Sequence, residues 1–159
     1  MQLTVENVRD LLAIREAIAI HPPSFRIDAW IAKEDCGTTL CIGGHWAVLR
    51  GYMPPKPVSF DTGNLDWADQ NGDFHNILDV IPISTVPSDG WIFHLDYWPA
   101  KLKAAYKIAA TPQGRVAAGQ QAIDRFIAER ASPADIEAAK ADLVPAEAWA
   151  ELEKVRCSA

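Results

Sequence analysis

The segment TTLCIGGHWAVLR, residues 38–50, decides the fold class. Its apolar side chains would occupy nearly every face of a helix, and they are Leu40, Cys41, Ile42, Trp46, Ala47, Val48 and Leu49. A helix that is apolar on all sides is buried among other elements. Gly51 follows directly, and glycine readily adopts the left-handed conformation that ends many helices. We therefore predict a buried helix over residues 38–50, ended by Gly51 and surrounded by other helices.

Amphipathic helices are predicted on both sides of this segment. Residues 4–20 place apolar side chains at three- and four-residue spacings after Thr4, a residue type that favours helix N-termini. Thr111-Pro112 and Ser132-Pro133 give two further helix starts of the same kind. The predicted flanking helices cover residues 4–20, 73–80, 98–110, 111–130, 132–143 and 145–155. Residues 25–31 alternate apolar and polar side chains, which predicts either a short extended piece or a turn held by two aromatic residues, and we favour the extended piece.

Length and composition fit one globular domain. The chain has 159 residues, of which 49% are hydrophobic and 23% are charged, enough for a core and too apolar for a disordered tail. Residues 52–72 contain three prolines and two glycines without a sustained period, and loops of that length are often functional. We predict a mainly α, compact single-domain helical bundle over residues 1–159. It has a long irregular loop at 52–72 and at most a minor extended segment.

The N-terminal residues carry no basic cluster ahead of an apolar run, so we expect neither a secretory signal nor a transit peptide. The uncharged stretch of residues 36–49 is too short to span a bilayer. The three cysteines leave one over in any disulfide pairing, as is typical of reducing compartments. These features predict a cytoplasmic protein that does not contact membranes.

Charge is distributed unevenly along the chain. Residues 57–99 contain seven aspartates and no lysine or arginine, whereas residues 100–123 contain three lysines, one arginine and no acid. The net charge of -6 argues against nucleic acid as a partner. One interpretation is that the two segments form solvated faces that neutralise each other in the fold. The other is that the acidic segment binds a basic partner.

The second interpretation predicts a protein partner and a contact surface within residues 57–99. The tryptophans of this segment are candidates for exposed recognition residues, and its carboxylates supply the charge. The predicted binding residues are Asp61, Asp66, Trp67, Asp69, Asp73 and Trp91.

A catalytic alternative centres on Cys36. The predicted helix begins just after it, and a thiol at a helix N-terminus has a lowered pKa, as a nucleophile requires. A cysteine hydrolase also needs a base within hydrogen-bond reach. His45 follows about two turns later, which is too far, so the base would be His75 or His94. Under this hypothesis the chain is an enzyme, whereas under the protein-binding hypothesis, which we favour, it is not.

A metal alternative uses the same segment. Cys36, Cys41 and His45 offer two thiolates and an imidazole, which are zinc ligands. A structural zinc site needs a fourth ligand, and the Cys36–Cys41 gap is longer than the usual knuckle. The third interpretation is that these residues are scaffolding, with Cys41 a small buried hydrophobe and His45 a core histidine. That interpretation needs no cofactor and is the one favoured.

The same segment carries a resemblance. The chain resembles a group of small uncharacterised bacterial and phage-borne proteins with a Cys-Gly-Thr-x-x-Cys motif. The matching residues are Phe25, Trp30, Cys36-Gly37-Thr38, Cys41-Ile42, Gly44-His45, Ile92-Phe93, Trp98-Pro99, Ala122-Ile123 and Phe126-Ile127. The resemblance implies a compact helical fold carried as an accessory protein. Together with the acidic segment, it predicts an accessory protein that binds another protein through an acidic, loop-rich surface.

Overall fold

The structure, a computed structural model, describes residues 1–27, 31–34, 37–52 and 66–143. In these ranges the chain forms six α-helices and two separate two-stranded antiparallel sheets. The helices are α1 (Val5–Ile20), α2 (Ile42–Leu49), α3 (Ile77–Val80), α4 (Ala100–Ile108), α5 (Pro112–Arg130) and α6 (Pro133–Ala141). The strands are β1 (Ile31–Glu34), β2 (Gly37–Leu40), β3 (Asp66–Ala68) and β4 (Phe74–Asn76). The predicted mainly α fold is confirmed, and the single domain over residues 1–159 stays a prediction.

Helix α1 begins at Thr4 because a reciprocal cap satisfies its first backbone donors. The Asn7 backbone N–H donates to Thr4 Oγ1, and the Thr4 N–H donates to Asn7 Oδ1, both at 3.2 Å. The face that carries Leu11, Ile14 and Ile18 is fully buried. It packs on α5 and α6 from the other end of the chain, so the core joins distant parts of the sequence.

Helix α5 supplies the other wall of the core. Thr111 Oγ1 accepts the Gly114 N–H at 3.1 Å, and Pro112 occupies the first turn, as the sequence predicts. A Cβ built on Gly119 would lie 2.7 Å from Cε1 of the buried Phe25 ring. Because Gly119 has no side chain, the Phe25 ring can pack directly against α5.

Helix α2 is buried as predicted, but it begins later than predicted. Residues 37–40 form β2, which pairs with β1, and the helix starts at Ile42 with Cys41 as its N-cap. Residues 42–47 are all buried, and the Trp46 indole N–H donates to Asp10 Oδ2 on α1 at 2.7 Å. Gly51 has φ +88°, the conformation predicted for the residue that ends this helix.

The predicted helix at residues 73–80 requires correction, as does the described end of the predicted irregular loop at 52–72. Residues 53–65 of that loop lie outside the described residues. Strand β3 pairs with β4 in register Asp66↔Asn76, Trp67↔His75 and Ala68↔Phe74. Only Ile77–Val80 of the predicted helix is helical. The reason is local, because Gly72 adopts φ +87° and lets the chain reverse between the two strands.

Several smaller predictions fall at the edges of the described ranges. Phe25 forms an isolated bridge to Leu40 and β1 begins at Ile31, so the extended piece predicted at 25–31 is partly seen. The predicted last helix, residues 145–155, lies outside the described residues. Within the described ranges, every helix is too short or too polar to span a lipid bilayer.

Candidate functional site

The hairpin of residues 66–76, here named the acidic hairpin, is held together by one aspartate at its turn. Asp69 Oδ1 accepts the backbone N–H groups of Asn71 and Asp73 at 2.8 and 3.0 Å. The Asp69 N–H donates to the Asp73 carbonyl at 2.8 Å and closes the turn. An aspartate that accepts hydrogen bonds from the following backbone in this way stabilises the turn.

The second carboxylate oxygen of Asp69 contacts His75, on the returning strand. The distance from His75 Nε2 to Asp69 Oδ2 is 3.0 Å, and the Tyr52 ring lies edge-on to the imidazole at 5.5 Å between centroids. The hydrogen bond with His75 lowers the pKa of the Asp69 carboxyl, and the two backbone hydrogen bonds lower it further. The turn aspartate is thus held in its ionised form by the strand that follows it.

The two faces of the acidic hairpin differ sharply in exposure. Trp67 points into the core with no exposed surface, and His75, directly opposite, shares that face. On the other face Phe74 is 73% exposed, with Asp66 diagonally across from it and Asp73 next to it in the chain. An ordered hairpin therefore presents an aromatic ring to solvent among carboxylates.

The prediction that Trp67 is an exposed binding residue is wrong, because strand alternation turns its side chain inward. Phe74 was missed. The Asn71-Gly72 dipeptide is the signal that could have found it, since Asn-Gly between short strands indicates a hairpin. In such a hairpin the register, rather than residue type, decides which aromatic residue faces outward.

Trp91 is also buried, with 8% of its surface exposed, so its predicted exposed recognition role is wrong. It lies in a 3₁₀ turn, Trp91–Phe93, and its indole N–H donates to Glu129 Oε2 at 3.3 Å. Its ring meets Phe126 edge-on at 5.3 Å between centroids. Burial raises the pKa of Glu129, but hydrogen bonds from Arg125, Trp91 and Arg130 outweigh it and leave the pKa lowered. Trp91 therefore joins this turn to α5.

The acidic and basic segments pair with each other at one place in the described part of the chain. Lys103 Nζ lies 3.2 Å from Asp96 Oδ1. Within the same part, the carboxylates of Asp73, Asp79 and Asp89 contact no cation, and Lys101 and Lys107 contact no carboxylate. These five charges are therefore not neutralised by ion pairs within the described part of the chain.

The predicted catalytic residues are only partly described. Cys36 lies outside the described residues, as does Asp61 of the predicted binding set. Residues 37–40 are a strand, so the helix N-terminus predicted for Cys36 belongs instead to Cys41. His94 Nε2 lies 2.7 Å from the Thr85 carbonyl oxygen, which can only accept, so this nitrogen donates. His75 is the candidate base that is paired with a carboxylate.

Two of the three predicted metal ligands are described, and each makes a hydrogen bond within its own helix or the N-cap of that helix. Cys41 Sγ accepts the Gly44 N–H at 3.4 Å, as an N-cap side chain does. His45 is 5% exposed, and its Nδ1 lies 3.0 Å from the Cys41 carbonyl oxygen. The described residues contain no group of three or more metal-ligating side chains. The interpretation of Cys41 and His45 as scaffolding stays a prediction.

Comparison with protein-family models, with curated proteins and with solved structures gave no match to this chain.

Proposed function

We propose that this chain is an accessory protein, of the kind that phages and prophages carry, which acts by binding another protein through the acidic hairpin. The single observation that carries the proposal is the 73% exposure of Phe74 on an ordered hairpin that also carries Asp66 and Asp73. The partner has an apolar pocket for the ring and basic side chains around it.

Phe74 has the properties of an interface anchor. A phenylalanine can bury roughly 150–250 Å² in a pocket, and large, rigid side chains of this kind dominate interface energies. The Asp69 turn and the inward Trp67 hold the strand in place before binding, so little conformational entropy is lost on association. The carboxylates add long-range attraction to a basic partner, which raises the association rate and makes it sensitive to salt.

The experiment replaces Phe74 by the photo-crosslinking residue benzoylphenylalanine and irradiates the protein in an extract of its source cells. The matched control carries the same crosslinker at Val86, another exposed hydrophobic position, which lies outside the acidic hairpin. We expect a protein adduct at position 74 that is absent at position 86. Identical adducts at both positions would contradict the proposal.

The captured partner then permits a quantitative test. We expect Phe74→Ser to weaken its binding by about 30-fold or more, the size typical of an interface hot spot. Asp73→Lys should mainly slow association, and this effect should shrink as salt is added. Unchanged affinity of Phe74→Ser, with an unchanged circular dichroism spectrum, would reject the hairpin as the contact.

A second candidate is the cysteine hydrolase, and the observation that favours it is the Asp69–His75 pair. A carboxylate that orients an imidazole is the arrangement that activates a nucleophile in hydrolases. The candidate nucleophile is Cys36. This candidate predicts that iodoacetamide alkylates Cys36 faster than an ordinary thiol at neutral pH and that His75→Ala abolishes the excess rate. An ordinary rate in both proteins would reject it.

A further inference from the structure

The outward face of α4 carries the most exposed large hydrophobic residue among the described residues. Ile108 is 81% exposed. Three residues precede it on the same helix face at three- and four-residue spacings: Lys101, Ala104 and Ala105. All four side chains are exposed. Leu102 and Tyr106 lie on the opposite side of α4 and are buried. This set of four residues, with Lys107 beside it, is here named the α4 face.

The α4 face mirrors the acidic hairpin in its chemistry. Each surface has one large exposed hydrophobic side chain, Ile108 or Phe74, with charged residues of one sign near it in the chain. The signs are opposite. The two alanines of the α4 face project little from the helix, so an incoming aromatic ring can approach the backbone closely. The two surfaces are therefore complementary in charge and in apolar content.

We propose that the acidic hairpin of one copy of this chain binds the α4 face of a second copy. Phe74 and Ile108 are both largely exposed, so neither is covered by the described part of its own chain. In the complex Phe74 packs on Ala104, Ala105 and Ile108, while Lys101 and Lys107 meet the hairpin carboxylates. The proposal rests on the proposed function in using the same hairpin, and it assigns that hairpin a second copy as partner.

The geometry of such a contact is heterologous, since two different surfaces meet. Each associated pair leaves one hairpin and one α4 face uncovered, and these can bind further copies into a ring or an open chain. The contact is small and depends on charge, so it is weak and is lost at high salt.

The test is sedimentation of the purified protein over a range of concentrations in low-salt buffer. We expect concentration-dependent association of the native protein, and its loss in Phe74→Ser and in Ile108→Ser. A mixture of the two variants should associate again and stop at a dimer, because one supplies an intact α4 face and the other an intact hairpin. Val86→Ser, another exposed hydrophobic residue, is the control and should associate like the native protein.

A native protein that stays monomeric at low salt, an Ile108→Ser variant that still associates, or a variant mixture that stays monomeric would each overturn the proposal. Because all substituted positions are exposed, the circular dichroism spectra should match that of the native protein. Failure here is distinguishable from failure of the proposed function. Ile108→Ser should still bind a captured partner of another sequence, whereas Phe74→Ser should lose it.

Discussion

Helix α5 and the acidic hairpin place their aromatic side chains by different rules. In α5, Phe126 occupies the buried stripe that its helical spacing from Val116, Gly119 and Ile123 predicts. In the hairpin, Trp67 lies inside and Phe74 outside, although both belong to one acidic and polar stretch. A long helix reveals its buried face through its own sequence period, whereas a three-residue strand acquires its inner face only through its pairing partner.

The largest expected effect is the difference in unfolding free energy between substitutions on the two faces of the hairpin. Trp67→Ala should lower the free energy of unfolding by about 3–5 kcal/mol, because it removes a fully buried ring and leaves a cavity. Phe74→Ala, the matched change on the outer face, should alter it by no more than about 0.5 kcal/mol. Urea unfolding followed by circular dichroism measures both. Equal losses in the two variants would show that the register of this hairpin is not the one described.

A smaller effect tests the close approach between Phe25 and α5. The added Cβ of Gly119→Ala would lie 2.7 and 2.8 Å from two atoms of the Phe25 ring, which is fully buried and cannot move into solvent. We expect a loss of about 1–3 kcal/mol in unfolding free energy, despite the better helix propensity of alanine. Gln121→Ala, at an exposed position of the same helix, is the control. A stabilised Gly119→Ala protein would contradict this packing.

The smallest expected effect concerns the charge at the hairpin turn. Since the pKa of Asp69 is lower in the folded chain than in the unfolded chain, its carboxylate stabilises the fold above about pH 4. That contribution is lost as the pH falls through the lowered folded pKa. Amide hydrogen exchange at Asn71 and Asp73 should therefore show less protection in acid, and Asp69→Asn should remove this pH dependence. The same acid response in the Asp69→Asn protein would assign it to another group.

The sequence predicts the long helices well because they carry their own boundaries. The Thr4, Thr111 and Ser132 caps each begin a helix where expected, and each side chain accepts a backbone N–H. The predicted start of α2 is wrong because Leu40 and Cys41 are apolar. Periodicity cannot distinguish an apolar residue in a buried strand from one in a buried helix.

The candidate site was harder to predict than the fold. Asp66 and Asp73 were identified from charge alone and are exposed. The sequence predicts Asp69 as a binding residue, yet its carboxylate forms hydrogen bonds with the turn backbone and with His75. The role of Asp69 depends on a strand pairing that brings His75 back beside it. Single-residue properties do not contain that information.

The packing of α1 on α5 and α6 has a consequence for biosynthesis. The ribosome makes α1 before two of the helices that cover its apolar face, which follow only at residues 112–141. Leu11, Ile14 and Ile18 therefore lack α5 and α6 while residues 21–111 are made, at elongation rates of about 5–20 residues per second. During these seconds the apolar face of α1 is only partly covered, and such a face is a binding site for chaperones at the ribosomal exit.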